Sequence, residues 1–355
     1  MRVLIICENT IDRSEFHWIT ALPGHGIDTH VVIGPDSPDI PRLRDAGIEV
    51  TPIRMRSRID RKAARALRRA LAASRADLVH CLGSHKQVAN ALAATRGGPT
   101  PIVAYRGTMG HLNRWDPTSW LSYLNPRLRC IVCASDAVKH SLARLRVPES
   151  RLRTIYKGHD AAWYQAADRD TLTGLGVPDD AFVVGCAARI RALKGIPVLI
   201  EALRRMQLPD VHLLLVGENH DPHVRGMARA PELSERIHLV GRRDDAASLM
   251  GACDVFAMCS LRREGMPRAL IEAMSQGVPP VVSDVGGMPE LVVDGECGRV
   301  VPVSDSTALA DALRTLRSDT DLRASMGRAA RERIESHFSI QQTITQTVAL
   351  YRDMV

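Results

Sequence analysis

Aromatic residues are scarce: Phe, Trp and Tyr together make up 4% of the 355 residues. A single-stranded nucleic-acid surface needs aromatic faces among its cations, so that class recedes despite a formal net charge of +7. No apolar run approaches the roughly 18 residues that a membrane-spanning helix requires. The opening Met1-Arg2-Val3-Leu4-Ile5-Ile6-Cys7 is too short for a signal peptide and reads as a first strand. A cytoplasmic protein is therefore expected. The eight cysteines agree, since several, such as Cys7, Cys81, Cys186 and Cys253, lie in apolar strand-like runs as small hydrophobes. Cys130-Ile131-Val132-Cys133 has a Cys-x-x-Cys spacing, but a strand would put the two sulfurs on opposite faces. With no second Cys/His pair at ligand spacing, it does not read as a metal site.

Charge is unevenly spread. Residues 54–75, opened by Arg54 and closed by Arg75, hold nine basic residues against one acid, Asp60. Ile59, Ala63, Ala66, Leu67, Ala70 and Leu71 recur there at helical spacing, with arginines filling the other face. Such a stripe is either an ordinary solvated helix face or a peripheral contact with an anionic membrane, at the inner face of the lipid.

The first half alternates apolar strand-like runs (3–6, 29–33, 78–81, 102–105, 131–134, 152–156) with helical patterns (16–22, 61–73, 86–94, 136–145). The pattern pauses near Lys157-Gly158-His159-Asp160, then restarts with strands at 182–187, 211–216, 237–240, 254–258, 280–283 and 298–301. Alternation of this kind predicts an α/β fold: two doubly wound, Rossmann-like parallel-sheet domains facing each other across a cleft. The expected bounds are 1–160 and 161–337, with a last helix over 338–355 crossing back to the first domain. Ligands on such sheets gather at the carboxyl ends of strands. In the first domain those ends carry Glu8, Arg13 and Glu15, and further on Arg106, Thr108 and His111.

In the second domain the informative stretch is Glu264-Gly265-Met266-Pro267-Arg268, which leads into a helix containing Glu272. Gly265 and Pro267 end the preceding strand, and a helix starting there turns unpaired N–H groups toward the loop. That end seats an anion, with Gly265, Met266 and Arg268 as the expected donors. Glu264 and Glu272 flank the seat, which suits a diphosphate with hydroxyls at both ends. Taken singly, both are equally the solvated glutamates of a helix end. Arg189 and Lys194, in the loop after residues 182–187, add cations on the same side of the sheet. Together these residues make a diphosphate clamp, able to stabilise charge on a departing phosphate.

Arg189…Lys194-Gly195 followed by Glu264-Gly-Met-Pro-Arg-Ala-Leu-Ile-Glu272 resembles the nucleotide-sugar site of the GT-B retaining glycosyltransferases, family 4 (glycosyl transferases group 1). The likeness continues in Leu215-Val216-Gly217, His238-Leu239-Val240-Gly241-Arg242 and Val285-Gly286-Gly287-Met288-Pro289-Glu290. The resemblance implies transfer of a hexose-type sugar from a UDP- or GDP-linked donor to a hydroxyl of a glycan or lipid-linked acceptor. Cell-surface polysaccharide or lipopolysaccharide synthesis is the family's common use. Arg189 and Lys194 would hold the diphosphate, Glu264 the sugar, Glu272 the ribose, and the backbone near Gly217 and Val240 to Arg242 the base. No metal or other cofactor is implied. Asp168-Arg169-Asp170 and Asp319-Thr320-Asp321 imitate a metal-binding Asp-x-Asp, but neither follows a strand end.

The first half departs from the pattern twice. Arg106 stands where many relatives place a His that helps orient the sugar, which puts Arg106 among the candidate catalytic residues with Glu264, Lys194 and Arg189. The turn after the first strand, from Glu8 to Glu15, has no glycine. Glu8 and Glu15 are then candidates for contact with an acceptor, and Arg13 and Arg106 for an anionic group on one. Two other readings stand beside transfer: a nucleotide-sugar epimerase of the same fold, and a non-catalytic nucleotide-sugar-binding scaffold.

Overall fold

A computed structural model describes all 355 residues, which divide into two units. One comprises Met1–Gly158 with Ile340–Val355, the other His159–Ser339. The divisions thus fall two residues to either side of the 160 and 337 expected from composition.

The first unit is built on seven strands: β1 (Arg2–Ile6), β2 (Asp28–Ile33), β3 (Glu49–Pro52), β4 (Leu78–Cys81), β5 (Ile102–Arg106), β6 (Leu128–Cys133) and β7 (Leu152–Thr154). All pair in parallel, in the order β3-β2-β1-β4-β5-β6-β7. Every residue of β4 is buried, as expected of a strand covered on both faces. Side chains alternate between two cores. Leu4, Ile6 and Cys133 pack with the helix Arg61–Ser74, whereas Val3, Ile5 and Cys130 pack with Trp18 and Tyr351. Burial of one such Leu or Ile contributes about 1.5–3 kcal/mol. Cys130 and Cys133 thus face opposite cores, and all eight cysteines are free and buried.

The terminal helix Ile340–Met354 belongs to this first unit. Its Tyr351 hydroxyl lies 2.6 Å from His80 Nδ1 on β4, and both side chains are buried. Burial lowers the His80 pKa to about 3, so the ring is neutral.

The second unit repeats the plan with β8 (Phe182–Ala187), β9 (Val211–Val216), β10 (Ile237–Gly241), β11 (Val255–Met258), β12 (Pro280–Ser283) and β13 (Arg299–Val301). Their order is β10-β9-β8-β11-β12-β13, again all parallel. Counted within each unit, both sheets begin 3-2-1-4-5-6, the doubly wound order in which strand direction of travel reverses between the first and fourth strands. Two elements are not announced by the sequence, and a third begins earlier than its apolar pattern. The strand β3 and the helix Asp39–Asp45 before it carry no clear apolar period. The helix expected from residue 16 starts at Arg13, because Asp12 and Glu15 form a capping box there.

Candidate active site

In the second unit the switch point lies between β8 and β11, and the loops leaving those two strands carry the candidate residues. After β8 the chain runs through Arg189, a single helical turn at Ala192–Lys194, and Gly195 before the helix Ile196–Met206. After β11 it runs from Cys259 to Pro267 before the helix Arg268–Ser275. The two loops are joined by backbone, since Leu261 N–H donates to the Leu193 carbonyl oxygen at 2.8 Å.

Side chains close the same gap. Lys194 Nζ stands 2.5 Å from Glu264 Oε1, and the Ser260 hydroxyl donates to that oxygen at 2.6 Å. Both charged side chains are mostly shielded, 26% and 12% exposed. Glu264 is therefore fixed in place by two donors, and the Lys194 ammonium keeps N–H groups beyond the one it gives to Glu264. Arg189 is exposed and forms no ion pair with a carboxylate.

Gly195 makes this approach possible. Its φ is +63°, and a Cβ placed on it would lie 1.8 Å from the Cys259 carbonyl oxygen. Only glycine meets both conditions.

The helix after Glu264 begins one residue later than the proline suggested. Pro267 has φ −71° and ψ 120°, so it is the cap, and Arg268 is the first helical residue. Ile271 N–H is the first to reach back along the helix, to the Pro267 carbonyl, so the amides of Ala269 and Leu270 before it have no acceptor within the helix. Gly265 and Met266 lie in the loop before them. Glu272, one turn into the helix, is 20% exposed with Arg268 Nε at 3.8 Å. Gly217 follows β9, its N–H donating to the Gly241 carbonyl at 2.7 Å, which ties that loop to the end of β10. Val240 is partly buried there. Arg242 is exposed, with Asp244 at 3.7 Å as its partner.

In the first unit the switch point lies between β1 and β4. Glu8, just after β1, accepts the Ser84 backbone N–H at 2.9 Å. Glu8 shares a cavity of about 500 Å³ with Arg106, Thr108 and His111, and with Arg58 and His85, which sequence reasoning missed. Arg58, His85 and Tyr123 reach this wall from three separate segments, so no sequence spacing announces them.

Arg13 and Glu15 are not part of that wall. Arg13 is exposed at the start of its helix. Glu15 turns inward instead: Lys157 Nζ binds both Glu15, at 2.9 Å, and Asp12. The three side chains are 12–17% exposed. Burial raises the Glu15 pKa, with the Asp12 carboxylate adding to it and Lys157 opposing. Burial pulls the Lys157 pKa down, but Tyr105, Glu15 and Asp12 outweigh it and hold the ammonium charged. Two carboxylates around one cation is a structural fastening, continued by the Ser14 hydroxyl to the Gly158 carbonyl at 2.7 Å. Contact of Glu15 with an acceptor is not supported by this geometry.

Two doubly wound parallel-sheet units in one chain, each with its polar residues at the strand ends of the switch point, constitute the GT-B fold. The solved structure of Anabaena Alr3699/HepE in complex with UDP superimposes with a TM-score of 0.85, covering 100% of both chains at 22% identity. The family model described as "Glycosyl transferases group 1" matches residues 170–333, and "Glycosyltransferase Family 4" matches residues 13–163. The chain belongs to the group 1, family 4-like glycosyltransferases.

Among curated relatives, the N-acetyl-alpha-D-glucosaminyl L-malate synthase of Bacillus anthracis is 28% identical over 65% of this chain and 63% of its own length. The phosphatidyl-myo-inositol mannosyltransferase of Mycolicibacterium smegmatis is 35% identical over 41% of this chain and 38% of its own. Both matches thus span less than two thirds of the relative. No helix is long and apolar enough to cross a membrane.

Proposed function

We propose that the protein transfers a hexose-type sugar from a nucleotide-diphosphate donor to an acceptor hydroxyl, with retention at the anomeric carbon. The observation that carries this reading is the Lys194–Glu264 pair at the switch point of the second sheet, 2.5 Å apart in the loops that precede the helices Ile196–Met206 and Arg268–Ser275. In the reaction Arg189, Lys194 and the amides of Ala269 and Leu270 receive the diphosphate and the charge that grows on it as the sugar departs. Glu264, already oriented by Ser260, meets hydroxyls of the sugar. Glu272 takes the ribose, and the backbone at Gly217 and from Val240 to Arg242 takes the base, UDP- or GDP-linked.

No carboxylate is assigned as a covalent nucleophile. The acceptor attacks the face the leaving group departs from, and the departing phosphate oxygen takes the acceptor proton. The fixed cations supply the charge stabilisation, so turnover is expected to persist in a chelator.

The acceptor is a glycan or lipid-linked hydroxyl compound, in the synthesis of a cell-surface polysaccharide or lipopolysaccharide, handled at the cytoplasmic face of a membrane. A basic surface supports the membrane contact. Arg61, Lys62, Arg65, Arg68 and Arg69 are exposed on one helix. Nearby Ile59 (72% exposed) and Leu121 (41%) line one cavity with Arg58 and Arg61, and the exposed Trp120 immediately precedes Leu121 in the chain. Exposed large apolar side chains among arginines suit an anionic lipid interface.

The test is incubation of the purified protein with UDP- and GDP-linked hexoses, following nucleotide release and the sugar product. Release that depends on Glu264 and Lys194 supports transfer. An epimerised sugar nucleotide without release identifies an epimerase, and binding without turnover identifies a scaffold.

A further inference from the structure

Arg106 is a charge that the donor chemistry leaves unused. It ends β5 and is only 6% exposed, yet no carboxylate pairs with it. Its guanidinium donates to the Gly110 carbonyl oxygen, lies 4.8 Å from the Tyr123 ring centre, and is 3.5 Å from His85 Nε2. His85 offers no counter-charge. Burial, with Arg106 and Arg58 beside it, lowers its pKa to about 4, and Ser122 Oγ engages its other nitrogen at 2.7 Å. Arg58, half-buried on the same wall, forms no close ion pair, although the Asp116 carboxylate lies near enough to feel its charge. The wall's one carboxylate, Glu8, is exposed and already accepts the Ser84 N–H.

A guanidinium held out of water without a counter-ion is costly to the fold. It is stable as a binding element where the missing anion arrives with a ligand. Its planar fork fits the paired oxygens of a phosphate or carboxylate. The cavity, at about 500 Å³, has room for a sugar- or polyol-sized body behind such a group.

We propose that this cavity is an anion subsite in which Arg106, flanked by Arg58, binds a phosphate or carboxylate carried by the acceptor. Glu8 and Thr108 face the acceptor's hydroxyls. The acceptor part rests on the transfer reading above, whereas the anion site itself does not. Arg106 then replaces orientation of the donor sugar with selection of the acceptor's charge.

The experiment is calorimetric titration of full-length protein, saturated with UDP, with inorganic phosphate and separately with malonate. Saturation with UDP blocks the donor diphosphate seat, and the two probes separate phosphate from carboxylate. Millimolar binding of at least one anion is expected, weakened tenfold or more in Arg106→Gln and about threefold in Arg58→Gln. The melting temperature of Arg106→Gln should equal or exceed that of the parent, because an unpaired buried charge is removed. A merely structural arginine would lower it. Should Arg106→Gln fail to fold, Arg106→Lys keeps the charge, loses the fork, and should weaken binding severalfold.

The proposal falls if neither anion binds the UDP-saturated protein, or if binding is unchanged in Arg58→Gln and in whichever Arg106 variant folds. Nucleotide release measured in parallel separates the two readings: its absence removes the transfer activity and leaves the anion site standing.

Discussion

Replacing Gly195 with alanine tests whether the two loops of the second unit are held together as described. The added Cβ would sit 1.8 Å from the Cys259 carbonyl oxygen and 2.9 Å from its carbon. These are backbone atoms of a buried segment and cannot swing aside. The left-handed conformation costs a non-glycine residue about 1–2 kcal/mol, and forcing atoms into a filled space about 1–3 kcal/mol more. The sum, roughly 2–5 kcal/mol, corresponds to a fall in melting temperature on the order of 10 °C for a unit of this size. The same displacement moves Lys194 away from Glu264, so affinity for UDP should fall in parallel. Gly226→Ala is the control. It lies in the exposed helix Pro222–Ala228 with no atom within 4 Å of its added Cβ, and should be neutral or stabilising by about 0.5–1 kcal/mol. Circular dichroism melts and UDP titrations read both variants. A Gly195→Ala protein that melts within about 2 °C of the parent, a shift worth no more than about 1 kcal/mol, and binds UDP equally well refutes the reasoning.

Other outcomes follow from the first unit. Lys157→Met strands the carboxylates of Asp12 and Glu15 and should cost about 3–5 kcal/mol in urea unfolding; a loss under about 1 kcal/mol contradicts the buried triad. The His80 pKa of about 3 lies below the unfolded value near 6.5, so its stabilising contribution is complete above pH 6.5 and is lost as pH falls toward 3. Melting temperature should therefore drop steadily from pH 6.5 to 4, and His80→Gln should flatten that slope. An equally steep slope in the variant assigns the acid sensitivity elsewhere. The basic helix predicts salt-sensitive sedimentation with vesicles of anionic lipid, weakened by Arg65→Glu with Arg69→Glu; no binding at low salt removes the membrane contact.

The donor side was legible because its signals are local. Glu264, Gly265, Pro267 and Glu272 lie within nine residues, and glycine and proline mark where strand gives way to helix. Arg189 and Lys194 could be placed beside them once the alternation implied a doubly wound sheet, since the switch point brings those loops together. The pairing of Lys194 with Glu264, across 70 residues, was not legible. The first unit resisted for the same reason. Glu15 reads as an exposed loop acid until Lys157, 142 residues away, is folded against it. The glycine missing from the first turn has a counterpart after β2: a Cβ on Gly34 would meet Asn9 Oδ1 at 2.1 Å, so the close approach is made from the neighbouring strand. The strand β3 is short, ends in Pro52 and lies at the sheet edge, where one buried valine is all that pairing demands.

The central claim is that Lys194 and Glu264 act on a nucleotide-sugar donor. The most direct measurement is nucleotide release from UDP- and GDP-linked hexoses by the parent protein, Lys194→Ala and Glu264→Ala, alongside their melting temperatures. Release by the parent is expected, with a fall in kcat of about 10²-fold or more in each variant and the fold retained. Release at parental rates in both folded variants contradicts the claim.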